Sequence, residues 1–194
     1  MTKWIRWAAA AGLGLALAAC VPEFETALEG GSPADPALIG TWSAKATGEE
    51  TATLLDIAVK GDGISLVMSD PKGDEQKIAF SGKTAEIGGV HYLSVTPDDA
   101  DALGAGGAKI GFMIFRYAPD SDGFKVWALD GEAVAKAIND GKLKGTVTGS
   151  GTDRSPRVTS SAAEVAVWIA TADGQAAFKA TDPSDILILT RATP

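Results

Sequence analysis

The chain of 194 residues holds one cysteine, Cys20, and one histidine, His91. Those two counts bound its chemistry at once. A zinc centre built from Cys and His needs three or four ligands, so that class is excluded. A Ser-His-Asp triad needs a single histidine. His91, however, lies in Gly88-Gly89-Val90-His91-Tyr92, inside a strand pattern, and the chain has no Gly-x-Ser-x-Gly elbow. Asp98, Asp99 and Asp101 cluster in a loop from Pro97 to Gly107, and Asp120 and Asp122 sit in a turn. Calcium needs six to eight oxygens in a defined order. Neither cluster has it, and Asp-Ser-Asp-Gly reads as turn chemistry, with side chains bonding their own backbone. Gly104-Ala105-Gly106-Gly107 lacks the following Lys-Ser/Thr of a phosphate loop. No catalytic residue, metal or cofactor is thus expected, and the pattern is that of a protein that is not an enzyme.

The remaining reactive group is the Cys20 thiol, and its setting is specific. Lys3 and Arg6 precede an uncharged run from Ala8 to Ala19. A helix needs about 20 apolar residues to cross a bilayer, so this run reads as the apolar part of a secretory signal. The run ends Leu17-Ala18-Ala19-Cys20. An ordinary secretory cut would leave a free thiol, but Leu17 is bulky where such a site wants a small residue. The four residues resemble the lipobox of bacterial lipoproteins. The resemblance implies lipidation of Cys20, cleavage before it, and acylation of the new amino terminus. Two or more acyl chains hold a protein firmly on a membrane. Val21 follows the cysteine where Asp would signal retention, so the resemblance also implies the outer membrane, facing the periplasm.

Loss of Lys3 and Arg6 takes the net charge from -8 to about -10. An acidic chain is repelled by nucleic acid and by anionic headgroups, so nucleic acid is not an expected partner. After residues 1–19, residues 20–37 read as an acylated terminus and flexible tether, because Glu23, Glu25, Glu29, Gly30, Gly31, Pro33 and Pro36 interrupt any apolar period. Residues 38–194 read as one domain, long enough to bury a core without disulfides.

Within it, short alternating runs separated by Gly, Asp and Pro predict strands. Thr41–Lys45 is the first, then Leu55–Lys60 and Ile64–Ser69 around Gly61-Asp62-Gly63, then Gln76–Ser81 and Val90–Val95. Gly111–Tyr117 and Phe124–Leu129 form the clearest hairpin, Lys144–Thr148 a further strand, and Ile186–Arg191 the last. Asp130 caps one helix ending near Gly141. Ser161-Ala162-Ala163-Glu164 has the spacing of a capping box for a second. The fold class is mainly β with two short helices, the eight or nine antiparallel strands closing into a barrel that hides their edges.

Leu38-Ile39-Gly40-Thr41-Trp42 opens the first strand, and Leu187-Ile188-Leu189-Thr190-Arg191 ends the last. Gly-x-Trp with a late Arg is similar to the lipocalin and calycin pattern. The resemblance implies that Arg191 packs across Trp42 and closes the barrel base, with Gly40 allowing a close approach. The chain departs from lipocalins in placing both helices before the final strand. Phe112 to Arg191, with Trp127-Ala128-Leu129-Asp130 leading into Ala137-Ile138, resembles small bacterial lipoproteins that have a lipocalin-like domain and no assigned activity.

Two uses of such a barrel are expected. An apolar small molecule would sit in a cavity lined by Leu55, Ile57, Phe112, Ile114 and Trp127, since small barrels either fill their interior or hold one ligand. Alternatively, a filled barrel docks onto an envelope protein.

Overall fold

The structure is a computed structural model that describes residues 21–47, 51–70, 77–103, 110–149, 154–178 and 186–192. The signal segment, Cys20 and Gly104–Gly107 lie outside the described residues. Eight strands close an antiparallel barrel: β2 (Gly40–Ala46), β3 (Thr53–Lys60), β4 (Gly63–Ser69), β5 (Ile78–Ile87), β6 (Val90–Pro97), β7 (Met113–Asp120), β8 (Gly123–Ala128) and β11 (Ile186–Arg191). Neighbours in sequence pair in space from β2 to β8. β11 then closes the cylinder by pairing with both β2 and β8. This architecture is consistent with a lipocalin-like fold.

Side chains alternate across the barrel wall because successive Cβ atoms of a strand point to opposite faces. Trp42, Leu55, Ile57, Leu66, Phe80, Leu93, Tyr117 and Phe124 are among the buried side chains of one inner core. Registration explains the set. Trp42 pairs with Leu55, Ile57 with Leu66, Leu66 with Phe80, and Tyr117 with Val126, so each partner points the same way. The two ends of the barrel differ. Tight turns join β3 to β4, β5 to β6 and β7 to β8 at one end, which we call the floor. Gly61 at φ 61° and the pair Gly88 and Gly89 at 61° and 77° make the left-handed bends that L side chains resist. The connections from Ala46 to Thr53, Ser69 to Ile78, Pro97 to Met113 and Ala128 to Ile186 all lie at the other, loop end.

The last of these connections folds back over the outer wall. It carries α1 (Gly131–Asn139), β9 (Gly145–Thr148), β10 (Ser155–Val158), α2 (Ala162–Ile169) and α3 (Ala172–Ala176). The expected caps are present. The Asp130 carboxylate accepts from Glu132 N at 2.8 Å, and Ser161 and Glu164 bond each other's backbone N–H at the start of α2. A third helix, α3, capped by Thr171, follows α2. Val134, Val158, Val165, Trp168, Ile169 and Phe178 pack on Tyr92 and Ile114, forming a second core outside the barrel. The strand at 144–148 therefore does not extend the barrel to nine. As β9 it pairs with β10 in a separate sheet of order β1-β10-β9, in which β1 is Glu23–Phe24.

Residues 21–38 are not a free tether. They form a strap along the wall, from the loop end to the floor. Its first element, β1 (Glu23–Phe24), pairs parallel with β10 and bridges to Phe112, just before β7. Leu28 N donates to Ser94 Oγ at 3.0 Å in the middle of β6. Glu86 N donates to Gly30 O at 3.0 Å and Thr84 N to Pro33 O at 2.9 Å, both toward the floor. A short 3-10 turn, Pro36–Leu38, then turns the chain into β2. Phe24 and Leu28 are each 1% exposed. Two well-placed apolar side chains and a series of backbone bonds outweigh the flexible composition that surrounds them.

Phe24→Ala is expected to cost about 3–5 kcal/mol, the usual loss for a large buried aromatic. Urea unfolding of the variant measures it. A change within error would mean that the strap contributes nothing to the fold.

Candidate functional site

The floor is the most elaborated place in the molecule. The Arg191 guanidinium lies 3.9 Å from the centre of the Trp42 ring, well inside cation–π range. Register sets the pair, since Arg191 and Trp42 are opposed on β11 and β2. The guanidinium also donates to Ile39 O at 2.9 Å and Ala37 O at 3.4 Å, while Trp42 Nε1 donates to Leu38 O at 2.7 Å. These bonds satisfy carbonyls at the end of the short turn. Gly40 has φ 133°, and a Cβ there would run into the Arg191 guanidinium. The three residues read as barrel-closing from the sequence are thus brought together as one clamp.

Beside it, Asp35 organises a polar plug. Its carboxylate accepts from Ala37 N at 2.9 Å and from the Tyr117 hydroxyl at 2.7 Å. Thr84 Oγ1 accepts from Asp35 N at 2.9 Å and donates to Ser32 O at 2.7 Å. Burial first, then the Asp35 carboxylate, push the Tyr117 phenol far above its ordinary value, so it stays a donor. The His91 ring lies 5.4 Å from that of Tyr117. His91 sits on β6 near the floor, opposite Glu86 on β5 and Tyr117 on β7. Trp42 and Tyr117 each meet Phe124 edge-on, at 5.3 and 5.8 Å between centres. Rings therefore fill the barrel directly above the floor.

The five residues expected to line a ligand cavity do not share one space. Leu55 and Ile57 belong to the inner core, whereas Phe112, Ile114 and Trp127 pack with the outer one. The reason is parity. On β7 the odd positions Met113, Phe115 and Tyr117 face inward and the even ones outward. A one-residue shift in a strand exchanges its faces. On the outside, the Arg116 guanidinium lies 5.1 Å from the Trp127 ring, and the Gln175 amide donates to the Tyr92 hydroxyl at 2.6 Å. Burial raises the Tyr92 phenol too.

The acidic residues are held in local structure. Ser81 Oγ donates to Asp98 at 2.6 Å and Lys60 reaches it at 3.1 Å. These contacts draw its carboxyl below the ordinary range. Asp99 accepts from Asp101 N, and Asp120 pairs with Lys125 at 3.2 Å. Among the described residues, no three His, Cys, Asp or Glu side chains converge as metal ligands would. Sequence reasoning missed Asp35, Thr84 and Tyr117, whose partners are 49 to 82 positions away in the chain. The one local signal was Asp35-Pro36, a turn-initiating dipeptide.

Trp42→Ala should cost about 3–5 kcal/mol in urea unfolding as a large truncation at the closure. Gly40→Ala should also destabilise, because it strains the backbone and displaces Arg191 at once. The pair of tyrosines gives an optical test, since the chain has only two. A free phenol is half-ionised near pH 10. Both phenols are raised here, Tyr117 far more than Tyr92, so between pH 10 and 11 the native protein should show less phenolate absorbance than the unfolded chain. Their contribution to stability is complete below about pH 10 and declines above it, where the unfolded state releases the protons before the native state does. Ordinary titration in the native state would refute the buried placements.

No protein-family model, no curated protein and no solved structure matches this chain.

Proposed function

We propose that this chain is a lipid-anchored protein of the bacterial cell envelope, held by acyl chains on Cys20, which works by docking onto another envelope protein. The signal segment and the sequence Leu17-Ala18-Ala19-Cys20 support the anchor and its placement on the periplasmic face of the outer membrane. The observation that carries the choice of docking over ligand carriage is the continuous apolar core packed inside the barrel. One inner core runs from Leu38 and Trp42 through Tyr117 and Phe124 to Leu66 and Val95. The side chains first expected to line a cavity are divided between its two sides. In this reading the barrel is a scaffold. The floor clamp and the outer core fix its shape, and the chain catalyses no reaction.

A second reading rests on the loop end. There Met68, Ile78, Phe115 and Leu187 pack on the inner core but are only half-buried. An apolar molecule seated on them would make the protein a carrier or sensor of such a molecule.

Native mass spectrometry of residues 21–194, expressed in a bacterial periplasm with the strap retained, separates the two. The docking reading expects the bare mass. A small molecule of reproducible mass, lost on Phe115→Glu, would replace it with the carrier.

A further inference from the structure

The strap has a start as well as a path. Its first described residue, Val21, packs on the inner core, and the next, Pro22, is already buried. Two residues further on, Phe24 is bonded to Phe112, with N to O distances of 2.9 and 2.7 Å. Phe112 immediately precedes β7 at the loop end, and the strap leaves that end only afterwards, reaching the floor at Gly30 and Pro33. Glu23 adds an ion pair to Arg157 of β10 at 3.5 Å and accepts from Gly111 N at 3.3 Å. The chain is thus fixed to the loop end from its second described residue.

This placement constrains what an anchor on Cys20 would do. Consecutive Cα atoms are about 3.8 Å apart, so Cys20 lies within about 8 Å of buried Pro22. A lipidated cysteine holds its glycerol at the membrane interface, and no slack remains to turn the domain over. We propose that the loop end of the barrel faces the bilayer, pressed against a lipid surface by an anchor without a spacer, while the Trp42–Arg191 floor points into the periplasm. The inference rests on the lipidation of Cys20 and adds to it an orientation. The occupant of the loop end is a lipid surface, and the half-buried Met68, Ile78, Phe115 and Leu187 lie on that side. Charge does not supply the attraction, because the mature chain carries about -10 and anionic headgroups repel it. The acyl chains do.

The test uses the full-length protein, processed in a bacterium, extracted from membranes and reconstituted in phosphatidylcholine vesicles containing a headgroup-nitroxide lipid. An acylated Cys20 does not react with maleimide, so a single introduced cysteine carries the fluorophore. Lys77→Cys reports the loop end, and Asp122→Cys the β7–β8 turn at the floor. Both positions are exposed. Nitroxide quenching should be several-fold stronger at 77 than at 122. Ten Gly and Ser residues inserted between Cys20 and Val21 should erase most of that difference without altering the unfolding midpoint. Equal quenching at both sites, or stronger quenching at 122, in an acylated protein overturns the orientation alone. A mature mass without acyl groups overturns the anchor and the orientation together.

Discussion

Everything in this fold depends on the return of β11. Six residues supply two seams at once, pairing with β8 on one side and β2 on the other. Without them the remaining strands form an open sheet with two long edges, an arrangement proteins avoid. The closure is entropically demanding, since Arg191 meets Ile39 across 152 positions. The logarithmic growth of that cost with loop length keeps it tolerable. The Arg191–Trp42 contact then acts where the seam ends. Its stacking is worth about 0.5–2 kcal/mol, and its bonds to Ala37 and Ile39 tie the entrance of the barrel to its exit.

A single wall serves two cores. The inner faces of β5 to β8 pack into the barrel, while the outer faces of the same strands carry Ala85, Tyr92, Ile114 and Trp127 into the helical layer. Such strands lose the clean apolar–polar alternation of a half-solvated sheet. Ser94 and Thr84 show what buried polar groups do there. Both accept from the strap backbone, so each removes an unpaired N–H that burial would otherwise penalise.

The same double burial decides what could be read from the sequence. β2, β3 and β4 were legible because one face is wet and alternation survives. The Asp130 cap, the Ser161–Glu164 capping box and the turns were legible because they are local chemistry at fixed spacing. The inward set on β7 and β8 was not, because both faces are apolar and aromatic type does not reveal parity. β9 was recognisable as a strand, but its partner was not, since pairing is a property of tertiary structure. β10 was missed because Pro156 sits within it. β1 engages β10 only at Arg157 and Val158, so the absent N–H of Pro156 faces no partner on that side. The strap was hidden by its Glu, Gly and Pro content, with the buried Phe24, Leu28 and Leu38 widely spaced along it. At the floor, Gly40, Trp42 and Arg191 were visible through a familiar pattern. The Asp35–Tyr117–Thr84 plug beside them was not, because its contacts join distant parts of the chain.

The shortness of β1 has a mechanical consequence. A tensile load applied at the amino terminus falls first on Pro22–Glu25, which is held by the short pairing with β10, by the two bonds between Phe24 and Phe112, by those from Glu25 N to Val158 O and from Gly111 N to Glu23, and by the Glu23–Arg157 ion pair. Beyond them the strap bonds at Leu28, Gly30 and Pro33 come under load in turn, one after another. Such a connection yields by peeling, at low force and in small steps, and the barrel behind it is spared until the strap has paid out. The molecule would therefore respond to strain on its amino terminus as a fuse does, releasing length before it loses its fold.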